Sequence, residues 1–273
     1  MRFITITSPV NAIIKEALKI KQKYARYRHE AFFIEGPHLI EMAVASPHVE
    51  IKRVFFTEEF SNKKEGQRLL RLIISSIKCQ PPRDIFIRVS EQVLNKLSDT
   101  ETPQGIAAVM SCKIARLDGI SFKEVPFLVV CDGIQDPGNL GTIIRVSDAA
   151  GADAVIILPN TCDAFMPKAI RATAGSLFNI PIIYSGLETL FDFIESKNIS
   201  LYAADVHAQM SIYEFDFKLP VAIAFGNEAH GVSEVLLKRA KGLKIPILGK
   251  AESLNVAMAA SVCLYEVVRQ RIY

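Results

Sequence analysis

Cys131-Asp132-Gly133-Ile134-Gln135-Asp136-Pro137-Gly138-Asn139-Leu140-Gly141-Thr142-Ile143-Ile144-Arg145 is the stretch whose reading decides the fold. It follows the apolar run Phe127-Leu128-Val129-Val130, which has the continuous hydrophobicity of a strand buried on both faces. It leads into a segment where Leu140, Ile143, Ile144 and Ala150 recur at helical spacing until Gly151 stops them. The pattern is strand, glycine-rich turn, helix. Asn139 is placed to cap the first orphan amides of that helix, and Arg145 lies about one and a half turns further along, where it can face a pocket. Two glycine-loop chemistries are excluded. A phosphate loop needs a lysine and a hydroxyl after its second glycine, but Asn139 and Leu140 follow Gly138. The dinucleotide fingerprint needs a glycine at position 135, which is Gln.

Working outward, apolar strands read at 127–131, 154–158, 180–184, 200–204 and 221–225, with helical segments between most of them, so this half is expected to be a mostly parallel sheet covered on both faces. It closes with a nearly all-apolar helix, Val256 to Arg271, of the kind that is deeply buried or forms half of a subunit interface. Upstream, strands at 31–36, 51–56 and 84–89 and the run Ile106 to Met110 alternate with helices as a smaller α/β layer. The polar segment Ser111 to Glu124 is the expected boundary, giving domains 1–115 and 122–273. The fold class is therefore α/β.

Length, 273 residues, and half the residues hydrophobic suit a two-domain globular protein with a large core. No apolar leader or run of about 18 apolar residues occurs, so neither export nor a membrane span is expected, and the expected location is cytoplasmic. The cysteines, at 79, 112, 131, 162 and 263, lack Cys-x-x-Cys spacing, which points to free thiols used as small core residues and to no metal. Net charge is only +3, but residues 11–30 carry a local +4. Lys15, Lys19, Lys23 and Arg26 fall on one side of a helix, an arrangement that suits an RNA-binding stripe (Lys19, Lys23 and Arg26 above all) and equally a solvated face.

Two further stretches read as ligand loops. Val221 to Phe225 runs into Gly226-Asn227-Glu228-Ala229-His230-Gly231, where two glycines around a carboxylate at the end of a strand suit close approach of the backbone to a ligand. In Ile245-Pro246-Ile247-Leu248-Gly249-Lys250-Ala251-Glu252-Ser253-Leu254-Asn255, either Ser253 or Asn255 can cap the last helix. Taken singly, Glu228 reads as a surface acid, His230 as a turn residue, and Ser253 and Asn255 as plain caps.

Together, Asp136-Pro137-Gly138-Asn139-Leu140-Gly141 with Arg145, Gly226-Asn227-Glu228 with Gly231, and Ile245-Pro246 with Ser253-Leu254-Asn255-Val256-Ala257 resemble, in order and spacing, the three motifs of the SpoU (TrmH-like) RNA ribose 2′-O-methyltransferases of the SPOUT superfamily. The resemblance covers about residues 126–271. Through Phe33-Ile34-Glu35-Gly36 and Thr102-Pro103-Gln104-Gly105, the first domain is similar to the L30e-like substrate-binding domain of ribosomal-RNA members. The resemblance implies a deep trefoil knot in the second domain, a departure from the rule that chains do not thread loops. It implies S-adenosyl-L-methionine as cofactor, held by Gly226, Ile245 and Leu254. It also implies a homodimer, RNA as partner (23S ribosomal RNA in first place), and Arg145, Asn139, Glu228, Ser253 and Asn255 as catalytic residues. Family accounts often make the Arg145 counterpart a general base. A guanidinium stays protonated in proteins, so the role expected here is phosphate contact and stabilisation of charge on the 2′-oxygen. The alternatives are an RNA-binding or ribosome-assembly factor of the same fold without catalysis, a transfer-RNA ribose methyltransferase, and a knotted enzyme that methylates a base.

Overall fold

The computed structural model describes residues 3–77, 85–112 and 114–273, so Cys79 and Asp84 lie outside the described residues. The chain divides into two compact units, residues 1–113 with 165–171, and 114–164 with 172–273. The segment 165–171, which the sequence reading assigns to the second domain, thus clusters with the first.

The first unit runs β1 (Ile4–Ile6), α1 (Ala12–Ile20), α2 (Lys23–His29), β2 (Ala31–Glu35), α3 (Pro37–Ala45), β3 (Val49–Phe56), α4 (Glu58–Asn62), α5 (Lys64–Ser76), β4 (Phe86–Val89), α6 (Glu91–Leu97) and β5 (Ile106–Cys112). Its five-stranded sheet has the order β1-β4-β3-β5-β2, with β5 antiparallel to both neighbours. β1 is only three residues long, too short for periodicity to reveal. Ile14, Ala17, Phe33, Phe55, Ile87 and Val93 fill the core between sheet and helices. Burial of each large apolar side chain contributes roughly 1.5–3 kcal/mol.

The basic segment is two helices and not one. Asn11 caps α1, accepting from the Ile13 N–H at 2.9 Å, and α1 ends at Ile20, before α2 begins at Lys23. The break changes the phase of the stripe. Lys15, Lys19 and Lys23 are exposed, but Arg26 is only 6% exposed, and its guanidinium donates to the Ile20 and Lys21 carbonyls at the C-terminal end of α1. Arg26 therefore does not belong to a surface stripe: it satisfies orphan carbonyls where the chain turns between helices.

The second unit continues with β6 (Phe127–Asp132), α7 (Pro137–Ala149), β7 (Ala154–Ile157) and, after α8 (Pro167–Thr173), most of which clusters with the first unit, β8 (Ile182–Tyr184), α9 (Leu187–Ser196), β9 (Ser200–Ala204), β10 (Val221–Gly226), α10 (Glu234–Leu237), β11 (Lys241–Leu243) and α11 (Val256–Ile272). Its six strands lie in the order β11-β9-β10-β6-β7-β8, and every pairing is parallel. All residues of β6 and β10 are buried, as continuous apolar runs require. Sequence order moves outward from β6 to one edge and then resumes at β9 on the other side, leaving β10 beside β6. Gly226 is level with Asp132, so the loops after these two strands leave the sheet together at such a reversal, where open parallel sheets bind ligands.

α11 packs along α7, burying Ala257, Ala260, Cys263, Leu264 and Val267. Its end is fixed by Arg271, whose guanidinium donates to the carbonyls of Val125, Pro126, Phe217 and Leu219 at 2.9–3.1 Å. Met258, Val262 and Tyr265, at positions i, i+4 and i+7, stay exposed at 59%, 37% and 50%. The helix is therefore apolar on a buried face and on an open one. Cys131 and Cys263 are buried core residues, and burial raises the Cys263 thiol to about 12.

Candidate active site

The turn after β6 is held by its own hydrogen bonds. The Thr161 hydroxyl accepts from Gly133 N–H at 2.8 Å and donates to the Cys131 carbonyl at 3.0 Å, while Gly133 adopts φ +74°. Asp136, and not Asn139, is the N-cap of α7: its Oδ1 accepts from the Gly138 and Asn139 amides at 2.7 and 3.0 Å, and Pro137 takes the first helical position. That leaves the Asn139 side chain available for other partners.

The loop after β10 closes on itself. Asn227 and Gly231 exchange backbone hydrogen bonds at 2.8 Å each, and Asn227 Oδ1 accepts from Ala229 and His230 N–H. Its Nδ2 donates to the Gly133 carbonyl at 2.9 Å, tying the two loops together. Gly226 has a different reason from the one the sequence suggests. A Cβ there would lie 2.1 Å from the backbone of Gly231 and Val232, so the close approach it permits is that of its own returning loop. Replacing it with valine would disrupt this loop and not only block a ligand.

Three of the five expected catalytic residues form one string. Asn255 caps α11, accepting from Ala257 and Met258 N–H, and its Nδ2 donates to Asn139 Oδ1 at 3.0 Å. Asn139 Nδ2 donates in turn to Glu228 Oε1 at 2.9 Å. Glu228 also accepts from the backbone N–H groups of Gln135 and Asp136 at 3.3 and 3.4 Å. Burial raises its carboxyl, but the Asn139 amide and these backbone donors outweigh that, and the net shift is below the ordinary glutamate value. Glu228 is thus an ionised carboxylate at neutral pH that already accepts three hydrogen bonds.

Beside this string lies a cavity of about 750 Å³, within the roughly 300–1,000 Å³ range of small-molecule sites. Gly226, Ile245 and Leu254 all line it, as do Glu228, Ser253 and Asn255. Arg145 and Asn139 do not; Arg145 is exposed on α7. The sequence reading missed Asp205, Val206 and His207, which also line the cavity. They directly follow β9, and the carboxyl ends of parallel strands were the available signal. The lining joins apolar side chains to loop backbone and polar groups, a set that fits a ligand with a flat apolar part and a charged end.

The SpoU rRNA Methylase family matches residues 126–265, and the MRM3-like substrate binding domain matches residues 11–108. The 23S rRNA (guanosine(2553)-2′-O)-methyltransferase RlmP of Bacillus subtilis is 34% identical over 95% of this chain and 97% of its own length. The AdoMet-bound rRNA methyltransferase from Sinorhizobium meliloti superposes with a TM-score of 0.86 at 28% identity, covering 99% of both chains. The SpoU methyltransferase AviRb from Streptomyces viridochromogenes, in complex with AdoMet, gives a TM-score of 0.86 at 30% identity over 96% of this chain and 98% of its own. On the matched motifs, the two-unit architecture and full-length similarity, the chain belongs to the SpoU rRNA methylase family.

Proposed function

We propose that the protein methylates a ribose 2′-hydroxyl in RNA, with 23S ribosomal RNA as substrate and S-adenosyl-L-methionine as methyl donor. The observation that carries this reading is the Asn255–Asn139–Glu228 string beside a cavity lined by Gly226, Ile245 and Leu254. The substrate-binding domain and the names of the relatives support ribosomal over transfer RNA. When bound, the cofactor would supply an electrophilic methyl group on a sulfonium. Ile245 and Leu254 would pack against its adenosyl part, and the loop held by Gly226 would shape the pocket wall.

The remaining roles fall to side chains. Glu228 is a poor base, since its pKa is lowered and its oxygens already accept three hydrogen bonds. Its work is to orient Asn139, and through it Asn255, with Ser253 alongside. Arg145 would contact the RNA phosphate and stabilise negative charge on the attacking oxygen with its guanidinium. We further infer that the chain carries the family's trefoil knot and works as a homodimer in the cytoplasm. The open apolar stripe Met258, Val262 and Tyr265 on α11 supports the dimer.

The test is calorimetry with S-adenosylhomocysteine combined with a map of ribose methylation in 23S RNA from cells with and without the gene. Micromolar binding and loss of one 2′-O-methyl mark are expected. Binding without a lost mark would point to another RNA, and no binding would favour a factor without catalysis.

A further inference from the structure

Two motifs in the first unit have no part in the chemistry above, Phe33-Ile34-Glu35-Gly36 and Thr102-Pro103-Gln104-Gly105. The fold brings them together: β2 pairs antiparallel with β5, and Gly36 N–H donates to the Ile106 carbonyl at 3.0 Å. Where they meet is a cavity of about 320 Å³. Leu39 and Pro103, both half-buried, give it an apolar wall, backed by Leu94, Ile106 and Ala107, which are buried.

Glu35 holds this cavity in shape. Its Oε2 accepts from the Ser98 hydroxyl and from Asp99 N–H, and its Oε1 accepts from Arg171, which belongs to the same unit, at 3.3 Å. The carboxylate is therefore committed to Arg171 and to the loop that starts at Ser98. Gln104 is different. Gly36 sits at φ +90°, and a Cβ there would come within 2.8 Å of Gln104 Oε1. The missing side chain is what lets the amide lie against the turn between β2 and α3, on the exposed side of the cavity.

We propose that this cavity receives one unpaired base of the RNA, its flat face on the apolar wall and its edge read by the Gln104 amide. This rests on the reading that the substrate is RNA. An RNA base suits the site for three reasons. The volume is at the small end of ligand pockets. The ion pair in the wall, Glu35 with Arg171, has no net formal charge, which favours an uncharged base over a phosphate. An amide offers a donor and an acceptor side by side, the pattern by which glutamine reads a base edge, and unpaired bases are the usual target of sequence-specific RNA recognition.

The experiment uses the full chain and short single-stranded oligoribonucleotides that differ in one central base, with affinity read by fluorescence anisotropy. The wild type is expected to prefer one central base by about tenfold. Gln104→Ala should flatten the preference while leaving the weak common affinity, and Gln104→Glu, which replaces the donor with an acceptor, should change which base is preferred. Equal affinity of the wild type for all of them, or a preference that survives Gln104→Ala, overturns the proposal. S-adenosylhomocysteine binding, measured on the same proteins, separates the two readings: its absence counts against the transferase, whereas a lost or retained base preference speaks to this pocket alone.

Discussion

The loop end of the six-stranded sheet and the basic helices of the first unit were both marked by sequence, and they behave differently. After β6 and β10, residues chosen by their place in a motif hold one another: Asn255 donates to Asn139, and Asn139 to Glu228. In α1 and α2, residues chosen by helical spacing separate: Lys19 and Lys23 face water, and Arg26 is buried against carbonyls. Sheet register fixes where a loop begins, as Gly226 beside Asp132 shows. Helical spacing transmits position only while the helix is continuous, and here it stops at Ile20.

The largest expected effect tests whether the loop end is catalytic as well as ordered. Arg145→Ala should lower methyl transfer on the order of 10²–10³-fold, the usual result of removing a donor to a developing oxyanion. Arg145→Lys keeps the charge and loses the bidentate fork, so part of the activity should survive. Neither change should alter S-adenosylhomocysteine binding, because Arg145 does not line the cavity. The pH dependence of single-turnover transfer then distinguishes base from charge. A rate whose ionisation moves to lower pH in the lysine variant would restore the general base.

A smaller effect sharpens the contrast between buried and exposed cations. Arg26→Gln should cost about 1–3 kcal/mol of stability, since carbonyls at the end of α1 lose their donor, and the melting temperature should fall. Lys19→Gln with Lys23→Gln should leave the melting temperature alone and make the salt dependence of RNA binding shallower by up to about two phosphate contacts' worth. The reverse pattern, a stable Arg26 variant with weakened RNA binding, would put Arg26 back on the RNA surface.

Much of this was legible in the sequence for stated physical reasons. The strands 127–131 and 221–225 were readable because both faces are buried, so their apolar runs are unbroken. The helix stop at Gly151 was readable because φ +74° there suits glycine. Other features depend on neighbours that sequence does not name. Asp136 wins the cap over Asn139 only because of the geometry of the turn, and the need for Gly226 comes from the return of Gly231 and Val232. β1 and β11 were missed because three residues carry no period and, unlike those of β8, they do not stand in a longer apolar run. Asp205 to His207 were missed because they form no motif and acquire a role only through the position of β9 beside β10.

The smallest expected effect concerns the middle of the string and tests whether it exists in solution. Burial favours the protonated form of Glu228, and the Asn139 amide is the foremost of the donors that reverse this. Because the folded pKa is lowered, whatever stability this carboxylate contributes is present above its unfolded value of about 4.3 and is lost as pH falls through the folded value, so it adds no pH dependence near neutrality. Asn139→Ala removes that donor and leaves the burial, so the titration should move upward and the acid-sensitive window with it. Following the Glu228 carboxyl carbon by NMR in both proteins measures this directly. A midpoint unchanged by Asn139→Ala would mean that the carboxylate and the amide do not pair, and the order seen at this end of the sheet would then owe nothing to the residues that the motifs single out.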